Sequence, residues 1–216
     1  MNALVVRTAS FLILVLALAA PASAYNLVNN PSFAGNTNGW AVAGNVTFDA
    51  SNDATGVPGS GSAQSAFVAA GASTQLALSQ CIVAGQGSYT LGGKVLIPNG
   101  QAVGGQGLVT VSFFSAPGCF SGLLGFNSLS TATTGSFQTL SGPITAPAGT
   151  VAIWITGQNN ASAAGTHVVN FDDFVLDNGQ PPPASVVPAP ASGWLALLAL
   201  AAMLMMMGSV FAPRRD

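Results

Sequence analysis

Glutamate is absent from this chain, and charge of either sign is scarce. Among 216 residues there are four Lys or Arg and six acidic residues, all of them Asp. Within residues 25–178, Lys94 is the one basic residue. Phosphate binding needs clustered Lys and Arg, so the composition excludes a nucleic-acid partner. Glu, Lys and Arg usually fill helix surfaces, and their scarcity argues against a helical domain.

Groups that carry out catalysis are almost as scarce. His167 is the single histidine, and no nucleophile elbow, P-loop or dinucleotide-binding motif is present. Asp172 and Asp173 are adjacent and would point to opposite faces of a strand, which does not suit paired acid–base chemistry. We therefore predict that the protein is not an enzyme, and we interpret His167 as a surface strand residue.

Residues 1–24 have the three parts of a secretory signal peptide. Arg7 supplies a short basic region, residues 11–20 form an apolar stretch, and Ala22-Ser23-Ala24 is an A-x-A cleavage site. We expect export and a mature chain that begins at Tyr25. The alternative is an uncleaved anchor helix, for which the apolar stretch is short, since a span needs about 20 apolar residues.

Cys81 and Cys119 are the two cysteines of the chain. Two cysteines in an exported domain favour a disulfide. Their spacing builds neither a metal ligand set nor a reactive redox pair. The predicted bond would close a loop of roughly forty residues, which the loop-entropy model values at about 4 kcal/mol.

The carboxy-terminal part contains a linker and a candidate membrane span. Residues 178–193 are rich in proline and predict an extended linker. Residues 194–212 form an uncharged apolar run, which as a helix reaches about 28 Å, close to the hydrocarbon thickness of a bilayer. Residues 213–216 are a short end whose Arg214 and Arg215 favour the cytoplasmic side. We therefore predict a transmembrane helix with the preceding domain outside.

A proline motif precedes this apolar run, at Val187, Pro188, Ala189 and Pro190. The order of linker, motif, apolar helix and basic end resembles the PEP-CTERM type of bacterial sorting signal, with Ala189 in the place of the family's Glu. The Trp that starts the helix is similar to a sibling tail type whose motif ends in Glu-Trp-Gly. The resemblance implies processing by an exosortase-type enzyme and a cell-surface or extracellular-matrix location. The alternatives are a permanent membrane anchor and a GPI signal, the latter disfavoured by the Arg-Arg end.

Residues 25–177 carry period-two and β-rich patterning, separated by clusters of Gly, Pro, Asn and Ser. No helical period appears there. About eight strands joined by turns predict one all-β domain, a two-sheet β-sandwich. The predicted strands are 46–49, 64–69, 74–83, 89–97, 108–115, 137–144, 151–156 and 167–176.

Alternation along these strands predicts which side chains face the core. The core candidates are Tyr89, Leu91, Val95, Ile97, Val109, Val111, Phe113, Val151, Ile153 and Ile155. The opposite faces carry Thr90, Lys94, Thr110, Ser112, Phe114, Trp154 and Thr156. Two large aromatic rings are therefore predicted on a polar face.

Short motifs mark the two ends of the domain. The opening Asn26–Phe33 is rich in Asn and precedes the pair Gly39-Trp40, and the closing Asn170–Leu176 holds an Asp-Asp pair. With Tyr89-Thr-Leu as a central strand, these motifs resemble carbohydrate-binding modules with a galactose-binding-like jelly roll. The resemblance implies that fold over residues 25–177, with Trp40 in the core.

The same resemblance implies a structural Ca²⁺ between the opening and closing strands. Asp172 or Asp173 and the carbonyls of residues 29–32 would contribute ligands, whereas the acid that commonly follows the opening Phe is Ala34 here. Ca²⁺ takes about six to eight oxygen ligands. The alternative is a capped, hydrogen-bonded Asp pair without a cofactor.

Trp154 and Phe114 are the candidate ligand-binding residues. Sugar rings stack on aromatic faces because their C–H surfaces are apolar. The alternative is that this face is covered and that both rings belong to the core. The first hypothesis is thus an exported surface module that binds polysaccharide. The second is a structural or adhesive surface protein with no small ligand, and the third is a hydrolase.

Overall fold

The computed structural model describes residues 25–180, which form ten strands and no helix. The expected signal peptide, sorting motif and apolar run lie outside these residues, as does most of the proline-rich linker. Within the described part, no helix combines the length and hydropathy that a bilayer crossing needs. The strands are β1 (Ala41–Val42), β2 (Val46–Asp49), β3 (Ser62–Ala69), β4 (Ser73–Val83), β5 (Gly87–Leu96), β6 (Gly105–Phe114), β7 (Leu123–Thr131), β8 (Gln138–Ala146), β9 (Ala152–Ala161) and β10 (Gly165–Asp177).

The strands form two antiparallel sheets of five strands each. Sheet 1 has the order β1-β4-β9-β6-β7, and sheet 2 has the order β2-β3-β10-β5-β8. Both sheets bury their inner faces against one shared core, in which Phe33, Phe113, Phe171 and Phe174 are among the largest fully buried side chains. The predicted all-β, two-sheet sandwich is therefore confirmed.

Eight of the ten strands overlap the predicted ones, and β2 matches to the residue. The patterning does not predict β1, which is two residues long, or β7. The register of β7 shifts at its start, where Phe113 pairs with Gly125 but Phe114 pairs with Leu123. This bulge breaks the alternation on which the prediction of strands depends.

The core predicted from alternation is buried except at one position. Nine of the ten candidates are at most 8% exposed, whereas Val151 is 40% exposed. The expectation for Val151 is wrong because β9 begins one residue later, at Ala152. Val151 lies in the connection, where its N–H donates to the carbonyl of Phe114.

The opening segment is attached to the last strand. Leu27 N–H donates to the carbonyl of Leu176, and Phe174 N–H donates to that of Pro31. Trp40 packs on Phe174 with 4.6 Å between ring centroids, and its indole N–H donates to the carbonyl of Asn30 at 3.1 Å. Trp40 is 8% exposed, so its predicted place in the core is confirmed.

One glycine permits the close approach of the two sheets. A Cβ at Gly107, on β6, would lie 2.3 Å from Val95 and 2.8 Å from Val169 of sheet 2. Any larger residue would push the sheets apart at this point. Gly107 therefore fixes the distance between the two sheets at this point. The distance in turn determines where the outward side chains of sheet 1 lie.

Candidate functional site

The outward side of sheet 1 carries polar and aromatic side chains, which we call the outer face; Ser79, Thr110 and Thr156 within it are at most 8% exposed. Side chains alternate along each strand, so every second residue of β4, β9, β6 and β7 belongs to it. None of these side chains is charged. The outer face comprises Thr74, Leu76, Ser79 and Cys81 of β4, Trp154, Thr156, Gln158 and Asn160 of β9, Gln106, Leu108, Thr110 and Ser112 of β6, and Phe126, Ser128 and Ser130 of β7.

Two aromatic rings share one row across the outer face. Cys81 pairs with Trp154, Trp154 with Ser112, and Ser112 with Phe126. Neighbouring strands are about 4.8 Å apart, so Trp154 and Phe126 stand roughly 10 Å apart across the small Ser112. Phe126 is 69% exposed, and Trp154 is partly exposed. The row offers two apolar ring surfaces with a gap between them.

The Trp154 ring packs against Phe114, its diagonal neighbour on β6 on the same side of the sheet. The two rings meet edge to face, with 6.5 Å between centroids and 64° between planes. Phe114 is 7% exposed and packs in a small cluster with Cys119 and Ala152. Of the two predicted ligand-binding residues, Trp154 is therefore placed to touch a ligand and Phe114 is placed to support it. A binding role for either residue stays a prediction.

The disulfide closes one end of the aromatic row. Cys81 and Cys119 are bonded, with 5.9 Å between their Cα atoms, and this predicted pairing is confirmed. The bond ties the connection between β6 and β7 to β4, next to a cavity of about 230 Å³ that Trp154 and Phe120 also line. Phe120 is 95% exposed. A third aromatic ring is thus held beside the row.

Uncharged hydrogen-bonding groups surround the aromatic row. Thr110 and Ser128 share a hydrogen bond of 2.9 Å between their hydroxyls across β6 and β7. Gln158 Nε2 donates to the hydroxyl of Thr156 at 3.2 Å. Amides and hydroxyls on a stable sheet both donate and accept, which suits a ligand that is itself rich in hydroxyls.

The predicted metal ligands lie on the other sheet and have partners within the protein. Asp172 is fully buried, and its two carboxylate oxygens accept the backbone N–H groups of Ala54 and Asp173, at 2.9 and 2.7 Å. Asp173 forms an ion pair of 2.9 Å with Lys94, whose ammonium also donates to the carbonyl of Ala54. Burial raises the pKa of Asp172 to about 7, against the effect of its two hydrogen bonds.

The groups that the resemblance assigns to calcium already have hydrogen-bond partners within the protein. The carbonyls of Asn29, Asn30 and Pro31 already accept hydrogen bonds, from Gln80, Trp40 and Phe174 in turn. Among residues 25–180, no group of three or more His, Cys, Asp or Glu is close enough to hold a metal. The arrangement is that of a capped Asp pair, and calcium binding stays a prediction from the resemblance.

The segment between β2 and β3 packs on Asp172, and two further acids lie here, Asp49 at the end of β2 and Asp53 within the segment. Burial raises the pKa of Asp49, but hydrogen bonds from Ser51, Asn52 and Asn170 outweigh it and lower the value to about 2. Hydrogen bonds from Thr55 and Ser60 lower the pKa of Asp53 to about 2 as well. These carboxylates are therefore acceptors that hold the segment in place, and neither is poised as an acid or base near neutral pH.

His167 is fully buried between the sheets, so its interpretation as a surface residue is wrong. It faces inward because β10 enters the core at this position. The amide nitrogen of Asn159 donates to Ser65 and to the carbonyl of His167. The amide oxygen therefore faces the imidazole and accepts a hydrogen bond from Nδ1 of His167 at 2.6 Å. The pKa of His167 is lowered by burial. Its hydrogen bond to Asn159 joins β10 to β9 inside the sandwich.

The fold is the all-β jelly-roll sandwich of carbohydrate-binding modules. TmCBM61, solved in complex with β-1,4-galactotriose, matches with a TM-score of 0.50 and 22% identity, over 70% of this chain and 97% of that chain. Family 16 Carbohydrate Binding Module-2 matches with a TM-score of 0.51 and 16% identity, over 70% of this chain and 99% of that chain. No protein-family model and no curated protein matches the chain. At these identities the likeness shows the fold.

Sequence reasoning places Trp154 on the outer face but misses Phe126 and Phe120. Phe126 lies in β7, the strand that the broken alternation conceals. Phe120 follows Cys119 directly, and its exposure depends on how the disulfide holds the connection. The one local signal is the run Phe120–Phe126, in which every residue but Ser121 is apolar or glycine and none is charged.

Proposed function

We propose that this protein is a non-catalytic module that binds polysaccharide on the outer face of sheet 1. The observation that carries the proposal is the row of Trp154 and Phe126 with uncharged amides and hydroxyls around it. Apolar ring surfaces stack on the C–H faces of sugars, and amides and hydroxyls bond to their hydroxyl groups. A neutral polysaccharide needs no charged partner on the protein, and the outer face has none.

The location is part of the same proposal. The signal peptide at 1–24 and the tail at 187–215 support export, a transient or permanent membrane anchor, and sorting to the surface of a bacterial cell or its matrix. The Cys81–Cys119 disulfide supports export as well, because such bonds persist in oxidising compartments. An exosortase-type enzyme is the proposed processing partner.

A non-catalytic role is supported by what the titratable groups do. Asp172 and Asp173 are engaged by backbone groups and by Lys94, and His167 is bonded to Asn159 inside the core. A general acid or base must reach the substrate. Neither Asp172 nor His167 reaches a surface, since both are fully buried.

Affinity electrophoresis of the full chain in mild detergent tests the proposal. Neutral polysaccharides, with β-1,4-galactan as the first, are embedded in the gel, and retardation is compared with that in a gel without polysaccharide. We expect at least one polysaccharide to retard the wild type. Trp154→Ala and Phe126→Ala should each weaken that binding by about fivefold or more.

Val68→Ala is the matched control, because Val68 is a 73% exposed apolar residue on β3 of the other sheet. Its retardation should equal that of the wild type. Equal retardation of Trp154→Ala and the wild type would contradict the proposal that polysaccharide binds on the outer face. A wild type that no neutral polysaccharide retards would leave the second candidate, a structural or adhesive protein, which the exposed strand β7 favours.

A further inference from the structure

Strand β7 ends sheet 1 as a long, exposed edge. It has nine residues and pairs with β6 on one side alone. Six of its nine side chains are exposed, including Leu123 at 60% and Phe126 at 69%. Alternate N–H and C=O groups of such an edge face outward and can pair with another strand.

The bulge at the start of β7 disturbs the edge there, but from Gly125 to Thr131 the strand pairs regularly with β6 and has no other protecting feature. Natural edges are blunted by charged side chains, by proline or by shortness. Neither charge nor proline occurs in Leu123–Thr131. The connection before the strand adds Phe120, which is 95% exposed, so the apolar surface extends past the end of the strand.

The other three sheet edges in the described part of the chain are protected. β1 has two residues and β2 has four, which is too short for a stable pairing. β8 has nine residues but contains Pro143, which cannot donate a backbone hydrogen bond. β7 is thus the one outermost strand of more than four residues in residues 25–180 that keeps all its donors. β1 covers only Leu78 and Ser79 of β4, and Asn45 and Asn29 contact the side chains of Gln75 and Gln80 on the parts of β4 that β1 leaves open.

We infer that β7 is a self-association surface, on which β7 of a second copy pairs antiparallel. An edge strand is completed by another edge strand, and among the described edges only β7 itself offers a long, unprotected one. A strand without charge meets no like-charge pair when it lies opposite its own copy. The full-length register places Asn127 opposite Asn127 of the second copy and Phe126 opposite Ser128.

This pairing would join the outer faces of two copies. Directly opposite residues of an antiparallel pair point to the same side of the sheet. The two five-stranded sheets would therefore become one sheet of ten strands, with Phe126 of each copy near the junction. The inference stands without any ligand, and it extends the polysaccharide proposal because two linked faces bind one long chain more tightly than one does.

Sedimentation velocity of the full chain in a non-ionic detergent, over a series of protein concentrations, tests the inference. We expect the wild type to convert from monomer to dimer as concentration rises. Asn127→Lys puts two ammonium groups opposite each other at the centre of the pair, and it should remain monomeric throughout. Thr145→Lys, an equally exposed position on β8, is the matched control and should dimerise like the wild type.

Cysteine cross-linking tests directly whether Asn127 lies opposite Asn127 of the second copy. Asn127→Cys should give a covalent dimer on mild oxidation, because opposite Cβ atoms in an antiparallel pair are about 5 Å apart. Thr145→Cys should give none. A wild type that stays monomeric at every concentration overturns the inference, and so does a dimer that Asn127→Lys leaves intact, which would assign association to another part of the chain.

Discussion

Phe114 packs edge to face against Trp154, with 6.5 Å between the ring centroids. Trp154 is the partly exposed member of the pair, and Phe114 is 7% exposed. Both residues were expected on the same polar face of sheet 1, and both are there. Their difference in depth gives them different expected roles.

Truncation of the two rings should separate these roles. Trp154→Ala removes a partly exposed ring that we propose contacts the ligand, so we expect weakened polysaccharide retardation with a small loss of stability. Phe114→Ala removes a buried ring, so the free energy of unfolding should fall by about 3 to 5 kcal/mol, with binding weakened through loss of support for Trp154. Denaturant unfolding and affinity electrophoresis of both variants measure the two effects. A larger loss of stability in Trp154→Ala than in Phe114→Ala would contradict this assignment.

The disulfide should stabilise the folded protein mainly by lowering the conformational entropy of the unfolded chain. Cys81 and Cys119 are 38 residues apart in sequence, and loop closure of that length is worth about 4 kcal/mol. We expect the double variant Cys81→Ser, Cys119→Ser to lose stability of that order in denaturant unfolding. Ser121→Ala, in the same connection, is the control and should be close to the wild type. Free thiols in the purified wild type would refute the bond itself.

The buried Asp172 should make stability depend on pH. Its pKa in the folded state is about 7, above the ordinary 3.8, so between roughly pH 4 and 7 the folded state keeps a proton that the unfolded state releases. Stability therefore falls as pH rises through this window and levels off above it. We expect Asp172→Asn to remove this dependence, so that its stability relative to the wild type rises by the order of 2 to 4 kcal/mol between pH 4 and 7. A constant loss is superimposed on this rise, because the amide nitrogen cannot accept the N–H of Ala54 or Asp173.

Thermal unfolding midpoints across that range compare Asp172→Asn with the wild type. The lowered pKa of His167 acts in the opposite direction, because stability then rises with pH, but it is common to both proteins and cancels in the comparison. Asp177→Asn removes a carboxylate from the same strand and serves as the control. A gain that is independent of pH, or equal in Asp177→Asn, would show that Asp172 is not the source.

Calcium gives a direct test of the site that the family resemblance implies. We expect neither Ca²⁺ nor EDTA to change the thermal midpoint, because the carbonyls of residues 29–31 and the oxygens of Asp172 already accept hydrogen bonds within the protein. Differential scanning calorimetry in matched buffers measures this. A rise in the midpoint with Ca²⁺ that Asp172→Asn abolishes would establish a calcium site there.

Most of the sandwich could be predicted because its strands alternate. β2 is correct to the residue, and nine of ten core candidates are buried. Alternation fails where local pairing departs from the regular pleat. The bulge at the start of β7 conceals that strand, and Val151 falls outside β9 by one residue. The prediction that His167 lies on the surface is wrong because the sequence does not show that a buried hydrogen-bond partner, Asn159, lies on the inner side of the strand.

The sequence by itself determined the class of fold, the disulfide pairing and the outward position of Trp154. These depend on local alternation and on there being two cysteines, which need no knowledge of distant contacts. The tertiary structure alone decided that Phe126 shares a row with Trp154, that Phe114 is buried against Trp154, and that β7 is an open edge. Those relations arise from strand order and register across the chain, where the partners of a residue are chosen by packing at long sequence separation.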